Sequence, residues 1–185
     1  MAKLIFITGG VRSGKSRFAE KRAASLHPTS GSLHYLACGQ PSDNEMKSRI
    51  ARHQHDRASA NVPWETVECA TDIGSVAPSS NENGVVLLDC VTTLLSNELF
   101  QNEDWRDEAF QQQTKQKIQN DIEKLNERSE ALIIVSNELG YEPLSGLVDV
   151  YARQLGELHQ WIVSKADEAY VVENGVPQLM KGEGV

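Results

Sequence analysis

The chain has 185 residues, 39% of them hydrophobic and 24% charged, which suits one domain spanning residues 1–185 with a substantial core. Its formal net charge of −8 argues against coating nucleic acid or a membrane surface, since both want a basic patch. No apolar run approaches the roughly 20 residues of a membrane span. The three cysteines lack C-x-x-C spacing, so they suggest neither a zinc site nor a disulfide framework and fit a reducing cytoplasm.

Residues 3–8, KLIFIT, read as a first strand; the apolar run ends in glycines and does not continue as a signal peptide would. Residues 15–25 follow as a helix, and 32–38, SLHYLAC, as a second strand. Residues 43–57 open on an acidic capping-type residue and place Met46, Ile50 and His53 at helical spacing. WETVEC (64–69) alternates as a short strand. GVVLLDC (84–90) is a continuous apolar run, as expected of a central strand covered on both faces. Residues 104–129 form a long polar helix with a narrow stripe of Phe110, Ile118, Ile122 and Leu125. ALIIVSNE (131–138) is another buried strand, 148–166 a last helix, and 168–181 a hairpin turning at Asn174-Gly175. The short loops at 27–32, 77–84 and 140–146 are too short to divide the chain. Alternating strands and helices of this kind predict an α/β fold with a mainly parallel central sheet flanked by helices and a C-terminal β-hairpin.

Gly9, Gly10, Val11, Arg12, Ser13, Gly14, Lys15 and Ser16 match G-x-x-x-x-G-K-[ST] between a strand and a helix, the context a phosphate-binding loop requires. Glycines let successive backbone N–H groups converge on phosphate oxygens, and the next helix adds the partial positive charge of its N-terminus. Lys15 would reach the β- and γ-phosphates, and the Ser16 hydroxyl would ligate Mg²⁺. The pattern points to a nucleoside triphosphate, GTP or ATP, and leaves the reaction open. Asp89, closing a buried strand, is the expected second holder of the metal's water shell; its alternative is to cap the helix that follows.

Arg49, Arg52, His53 and Arg57 share one side of a helix. Positive neighbours favour the neutral, nucleophilic form of a histidine, and the arginines suit phosphate oxygens. Spacing alone leaves a solvated basic face as the plainer reading, with His55 pointing elsewhere and His27 and His34 as loop and strand-surface residues.

The blocks ITGGVRSGKSRFAE, DNEMKSRIARHQHDR, WETVE, LLDCVTTLLSN, IVSNELG and ADEAYVVENGVPQLMK run in order over nearly the whole chain. Together they resemble the bifunctional adenosylcobinamide kinase/adenosylcobinamide-phosphate guanylyltransferase family of cobalamin biosynthesis. The resemblance implies a RecA-like P-loop NTPase fold and a homo-oligomer, with a trimer the expected form. It implies two reactions: phosphorylation of the aminopropanol hydroxyl of adenosylcobinamide, then transfer of GMP from GTP through a GMP-histidine. The family's Arg-x-x-x-His pattern falls on Arg49 and His53, which makes His53 the nucleophile beside the catalytic Lys15. Gln54, His55 and Asp56, directly after it, are candidate nucleotide contacts. Glu68, Asp89 and the loop of Ala37, Cys38 and Gly39 match further nucleotide-lining positions. The chain departs from the family over 140–160, where the turn is shorter, YAR replaces a Phe-Arg-Asp and His159 stands for a usual Asn; this segment is expected to face the acceptor or a neighbouring subunit. The competing expectations are a monofunctional small-molecule kinase and a nucleotide-sensing protein without turnover.

Overall fold

A computed structural model describes residues 2–27, 31–39, 51, 63–78, 84–101, 103–139 and 146–183. The expected helix over 43–57 lies almost wholly outside them. The described residues form seven strands: β1 (Lys3–Thr8), β2 (Ser32–Ala37), β3 (Trp64–Glu68), β4 (Gly84–Asp89), β5 (Ala131–Val135), β6 (Glu168–Glu173) and β7 (Val176–Lys181). Four helices accompany them: α1 (Lys15–Leu26), α2 (Val91–Leu99), α3 (Glu108–Glu127) and α4 (Leu147–Lys165). The strands make one sheet in the order β3-β2-β4-β5-β1-β6-β7, parallel throughout except for the antiparallel β6–β7 hairpin.

Continuous apolar strands such as β4 and β5 are explained by cover on both faces. On one face Ile5, Ile7, Leu33, Tyr35, Val85, Leu87, Ile133 and Val135 pack with Ala19 and Ala23 of α1. These alanines stand four apart on one side of the helix and let it lie close to the sheet. On the other face Phe6, Leu36, Val86, Leu88 and Ile134 pack with Leu94 and Leu95 of α2, Ile118 and Ile122 of α3, and Leu155, Leu158 and Ile162 of α4. The buried stripe of α3 also takes in Gln111 and Thr114.

Several boundaries differ from expectation for local reasons. The long helix expected from 104 begins at Glu108, because the Asp107 side chain accepts a 2.8 Å hydrogen bond from Ala109 N and caps it there. A short 3-10 turn, Glu103–Arg106, precedes it. Strand β5 stops at Val135 and not at 138: Ser136 N and Glu138 N still donate to Ile7 O and Gly9 O, but Asn137 N on the other flank donates to the Thr92 side chain of α2 and not to β4. His34 is buried on β2, and not on the surface; its Nε2 shares a 2.7 Å hydrogen bond with Ser32 Oγ. The hairpin turns at Asn174-Gly175, both at positive φ (50° and 80°), the geometry a two-residue turn between twisted strands demands.

Candidate functional site

The carboxyl ends of the parallel strands lie along one edge of the sheet, where open α/β folds place ligands. The register puts Glu68, Ala37 and Asp89 level on β3, β2 and β4, and Val135 level with both Asp89 and Ile7. With neighbouring strands about 4.8 Å apart, Glu68 and Asp89 flank Ala37 at a separation of about 10 Å. The glycine-rich loop springs from β1 at the same edge, two strands from Asp89.

Tertiary contacts hold this loop in shape. Gly9 sits at φ 154°, and a Cβ there would collide with the Val172 carbonyl oxygen on β6. Gly14 has φ 92° and faces the hairpin tip, where Gly175 N donates to Ser13 O at 2.7 Å. Both glycines are therefore required by conformation and by space. Lys15 is buried, and its ammonium donates to Gly10 O at 2.9 Å, so the side chain folds back over the loop. Val11, Arg12 and Gly14 are exposed along the outside of the loop.

Asp89, expected from the sequence as a second holder of the metal, closes β4 beside Ser16 of α1. Its Oδ2 accepts from Tyr35 Oη at 2.6 Å and from Ser16 Oγ at 3.4 Å. The two oxygen donors Ser16 and Asp89 fit Mg²⁺: they are hard, stand close enough to share one octahedral ion or its water shell, and leave its other positions to phosphates and water. Tyr35, buried on β2, fixes the carboxylate that would hold it.

Comparison with known proteins decides the family. A profile described as cobinamide kinase / cobinamide phosphate guanyltransferase matches residues 5–180. The chain belongs to this family. It is 33% identical over 187 residues to the bifunctional adenosylcobalamin biosynthesis protein CobU of Escherichia coli K12, covering 96% of this chain and 99% of that one. To the bifunctional adenosylcobalamin biosynthesis protein CobP of Pseudomonas aeruginosa it is 36% identical over 181 residues, 96% of each chain. Among solved structures, an ATPase domain superposes with a TM-score of 0.50 at 16% identity, over 91% of this chain and 68% of that one. The fold is thus RecA-like, the α/β class with a mainly parallel sheet.

Within this cobinamide kinase/guanyltransferase frame, the structure brings together the loop Gly9 to Ser16, Asp89, Ala37, Cys38, Gly39 and Glu68 along one edge. Cys38 is fully buried, with its N–H on Asp89 O and its carbonyl on Asn97 Nδ2, so Ala37 and Gly39 carry the half-exposed surface of that loop. Burial also pushes the Cys38 thiol well above its ordinary range, which keeps it protonated. Glu68 is exposed at the end of β3. Arg49, His53, Gln54, His55 and Asp56 lie outside the described residues.

Sequence reasoning missed Tyr35 and Asn97. Asn97, on α2, donates to Cys38 O at 3.0 Å and to Ala70 O at 2.9 Å, tying together the loops that follow β2 and β3. Neither has a motif signature, since each acts through a partner more than 25 positions away. A network that passes from Thr92 through Ser136 to His159 was equally hidden.

Proposed function

We propose that this chain phosphorylates adenosylcobinamide and then transfers GMP from GTP to adenosylcobinamide phosphate, the second reaction passing through a GMP adduct on His53. The observation that carries the reading is the loop Gly9 to Ser16 with Lys15 folded over it and Ser16 set 3.4 Å from Asp89, in a chain matched along its length by the family. In the kinase step Lys15 and the loop N–H groups hold the phosphates and offset charge that grows on the β,γ-bridging oxygen. Ser16 and Asp89 would hold Mg²⁺, which would further neutralise the phosphate oxygens when bound. In the guanylyl step the neutral His53 imidazole attacks the α-phosphorus, the bond to the bridging oxygen breaks, and pyrophosphate leaves against Lys15. The phosphate oxygen of adenosylcobinamide phosphate then attacks the same phosphorus and breaks the P–N bond. Covalent catalysis here divides one displacement between two poor partners into two easier ones.

The substrates are small molecules, and among the described residues no helix is long and apolar enough to cross a membrane. We carry the family's oligomeric assembly, a trimer, as part of the proposal. The test is a product assay on purified protein with adenosylcobinamide, Mg²⁺ and either ATP or GTP. Phosphorylated acceptor with either donor, and the GDP-linked product with GTP, is the expected result. Phosphorylated acceptor with no guanylylated product would reduce the protein to a kinase, and nucleotide binding with no product would make it a sensor.

A further inference from the structure

The segment that leaves β5 brings an acidic residue, Glu138, to the nucleotide edge that no step above uses. Val135 is level with Asp89 on one side and Ile7 on the other. Beyond it the chain stays pinned to the phosphate loop: Ser136 N donates to Ile7 O at 3.0 Å and Glu138 N donates to Gly9 O at 3.2 Å. Its other flank is tied to the helix that follows Asp89, because Asn137 N donates to Thr92 Oγ1 at 2.8 Å. Thr92 is itself held twice, by a 2.9 Å hydrogen bond to Ser136 Oγ and by Tyr151 Oη donating to its carbonyl at 2.7 Å. Ser136 is fully buried and shares a 2.7 Å hydrogen bond with His159 Nε2. Glu138 is thus carried on a pinned segment between the loop that grips phosphates and the helix that starts beside Asp89, and it is exposed.

That position has a chemical use. A hydroxyl acceptor approaches the γ-phosphate from the solvent side, and its proton must leave as the new O–P bond forms. Asp89 is poorly suited to receive it, since its Oδ2 already accepts from Tyr35 and Ser16 and the carboxylate is needed as a fixed anion for the metal. Lys15 is a cation committed to the phosphates. We propose that Glu138 is the general base of the phosphoryl-transfer step. The acceptor hydroxyl oxygen bonds to the γ-phosphorus, the bond from that phosphorus to the β,γ-bridging oxygen breaks, the nucleoside diphosphate leaves, and the hydroxyl proton passes to the Glu138 carboxylate and on to water. The guanylyl step has no need of it, because its acceptor is a phosphate oxygen already deprotonated. This inference rests on the bifunctional reading above.

The test measures both half reactions in the full-length protein carrying Glu138→Gln, Glu138→Ala or Glu138→Asp. Glu138→Gln keeps the side chain's shape and is expected to lower kcat for adenosylcobinamide phosphorylation by roughly 100-fold or more, with KM for the nucleotide little changed. Labelling of the protein by α-phosphate-labelled GTP should persist in it. In Glu138→Ala, added formate should restore part of the kinase rate, and Glu138→Asp should retain more than Glu138→Gln. A Glu138→Gln enzyme within threefold of the wild-type kcat would overturn the assignment. So would equal loss of kinase rate and GTP labelling together with a lowered thermal midpoint, which would mark Glu138 as structural. Wild-type protein that labels but phosphorylates no acceptor would overturn the base role alone, whereas wild-type protein that does neither would remove the bifunctional reading and this role with it.

Discussion

Tyr35 Oη and Ser16 Oγ converge on one carboxylate oxygen, Oδ2 of Asp89, so the orientation of that side chain depends on a residue of the neighbouring strand β2. Tyr35→Phe removes the 2.6 Å hydrogen bond and leaves the ring in the core. Support of this kind usually changes metal affinity by roughly 10- to 100-fold. The Mg²⁺ concentration for half-maximal activity should rise by a factor in that range while maximal activity recovers at high Mg²⁺; an unchanged Mg²⁺ titration would separate Asp89 from metal holding. His159 carries a second expectation at this scale. Burial lowers its pKa from the ordinary 6.5 to about 4, so it is neutral in the folded protein across a range where the unfolded chain is protonated. Between those two values the unfolded state binds more protons, and stability therefore rises with pH there and is level above 6.5. The loss on going from pH 6.5 to 4 through this residue is on the order of 3 kcal/mol. His159→Asn should flatten the pH dependence of the denaturation midpoint over that window. An unchanged slope would mean that other groups set it.

At the scale of elements, α1 is fastened to the hairpin by a buried charge cluster. Glu168, 3% exposed at the start of β6, accepts from Arg22 through both oxygens at 2.9 Å, from Tyr170 Oη at 2.9 Å and from Lys3. Burial alone would raise its pKa, and the hydrogen bonds from Lys3, Arg22 and Tyr170 outweigh that and hold it below the usual carboxylate range. The stabilisation is therefore present above the ordinary carboxylate pKa and is lost as pH falls through the lower folded value. Arg22→Met strips the carboxylate of its bidentate partner and should cost about 3 kcal/mol of unfolding free energy. Adding Glu168→Met should recover much of the loss; a double variant as unstable as the single one would show that the cluster is not coupled. The same elements show what a sequence can disclose. The parallel-sheet pattern, the phosphate loop and the closing hairpin were legible because each is written in contiguous residues: an apolar run, a spaced G-K-S and an Asn-Gly between strands. The 3-10 turn at Glu103–Arg106 and the end of β5 were not, since one depends on the Asp107 cap and the other on Thr92. Tyr35, Asn97 and the Ser136–His159 pair were silent because they act by side-chain bonds between distant segments. His34 was misread because only the sheet's register reveals that β2 has neighbours on both edges.

Across the whole molecule, the phosphate loop is held in shape by the protein's own contacts. The last hairpin presses on it from one side, through Gly175 on Ser13 and Val172 against Gly9, and the segment after β5 holds it from the other, through Glu138 on Gly9. A loop fixed in this way needs little reorganisation to bind phosphates, which is where electrostatic catalysis gains most. One such loop can serve attack at the γ-phosphorus and at the α-phosphorus in turn, with the nucleophile and not the loop selecting the reaction. The decisive measurement is therefore incubation of the full-length protein with GTP labelled at the α-phosphate, followed by acid and base treatment of the protein. The expected label is stable to base and released by acid, and absent in His53→Ala and in Lys15→Ala, while His53→Ala still phosphorylates adenosylcobinamide and Lys15→Ala does not. A wild-type protein that takes up no label, or a His53→Ala protein that labels as well as wild type, would contradict it.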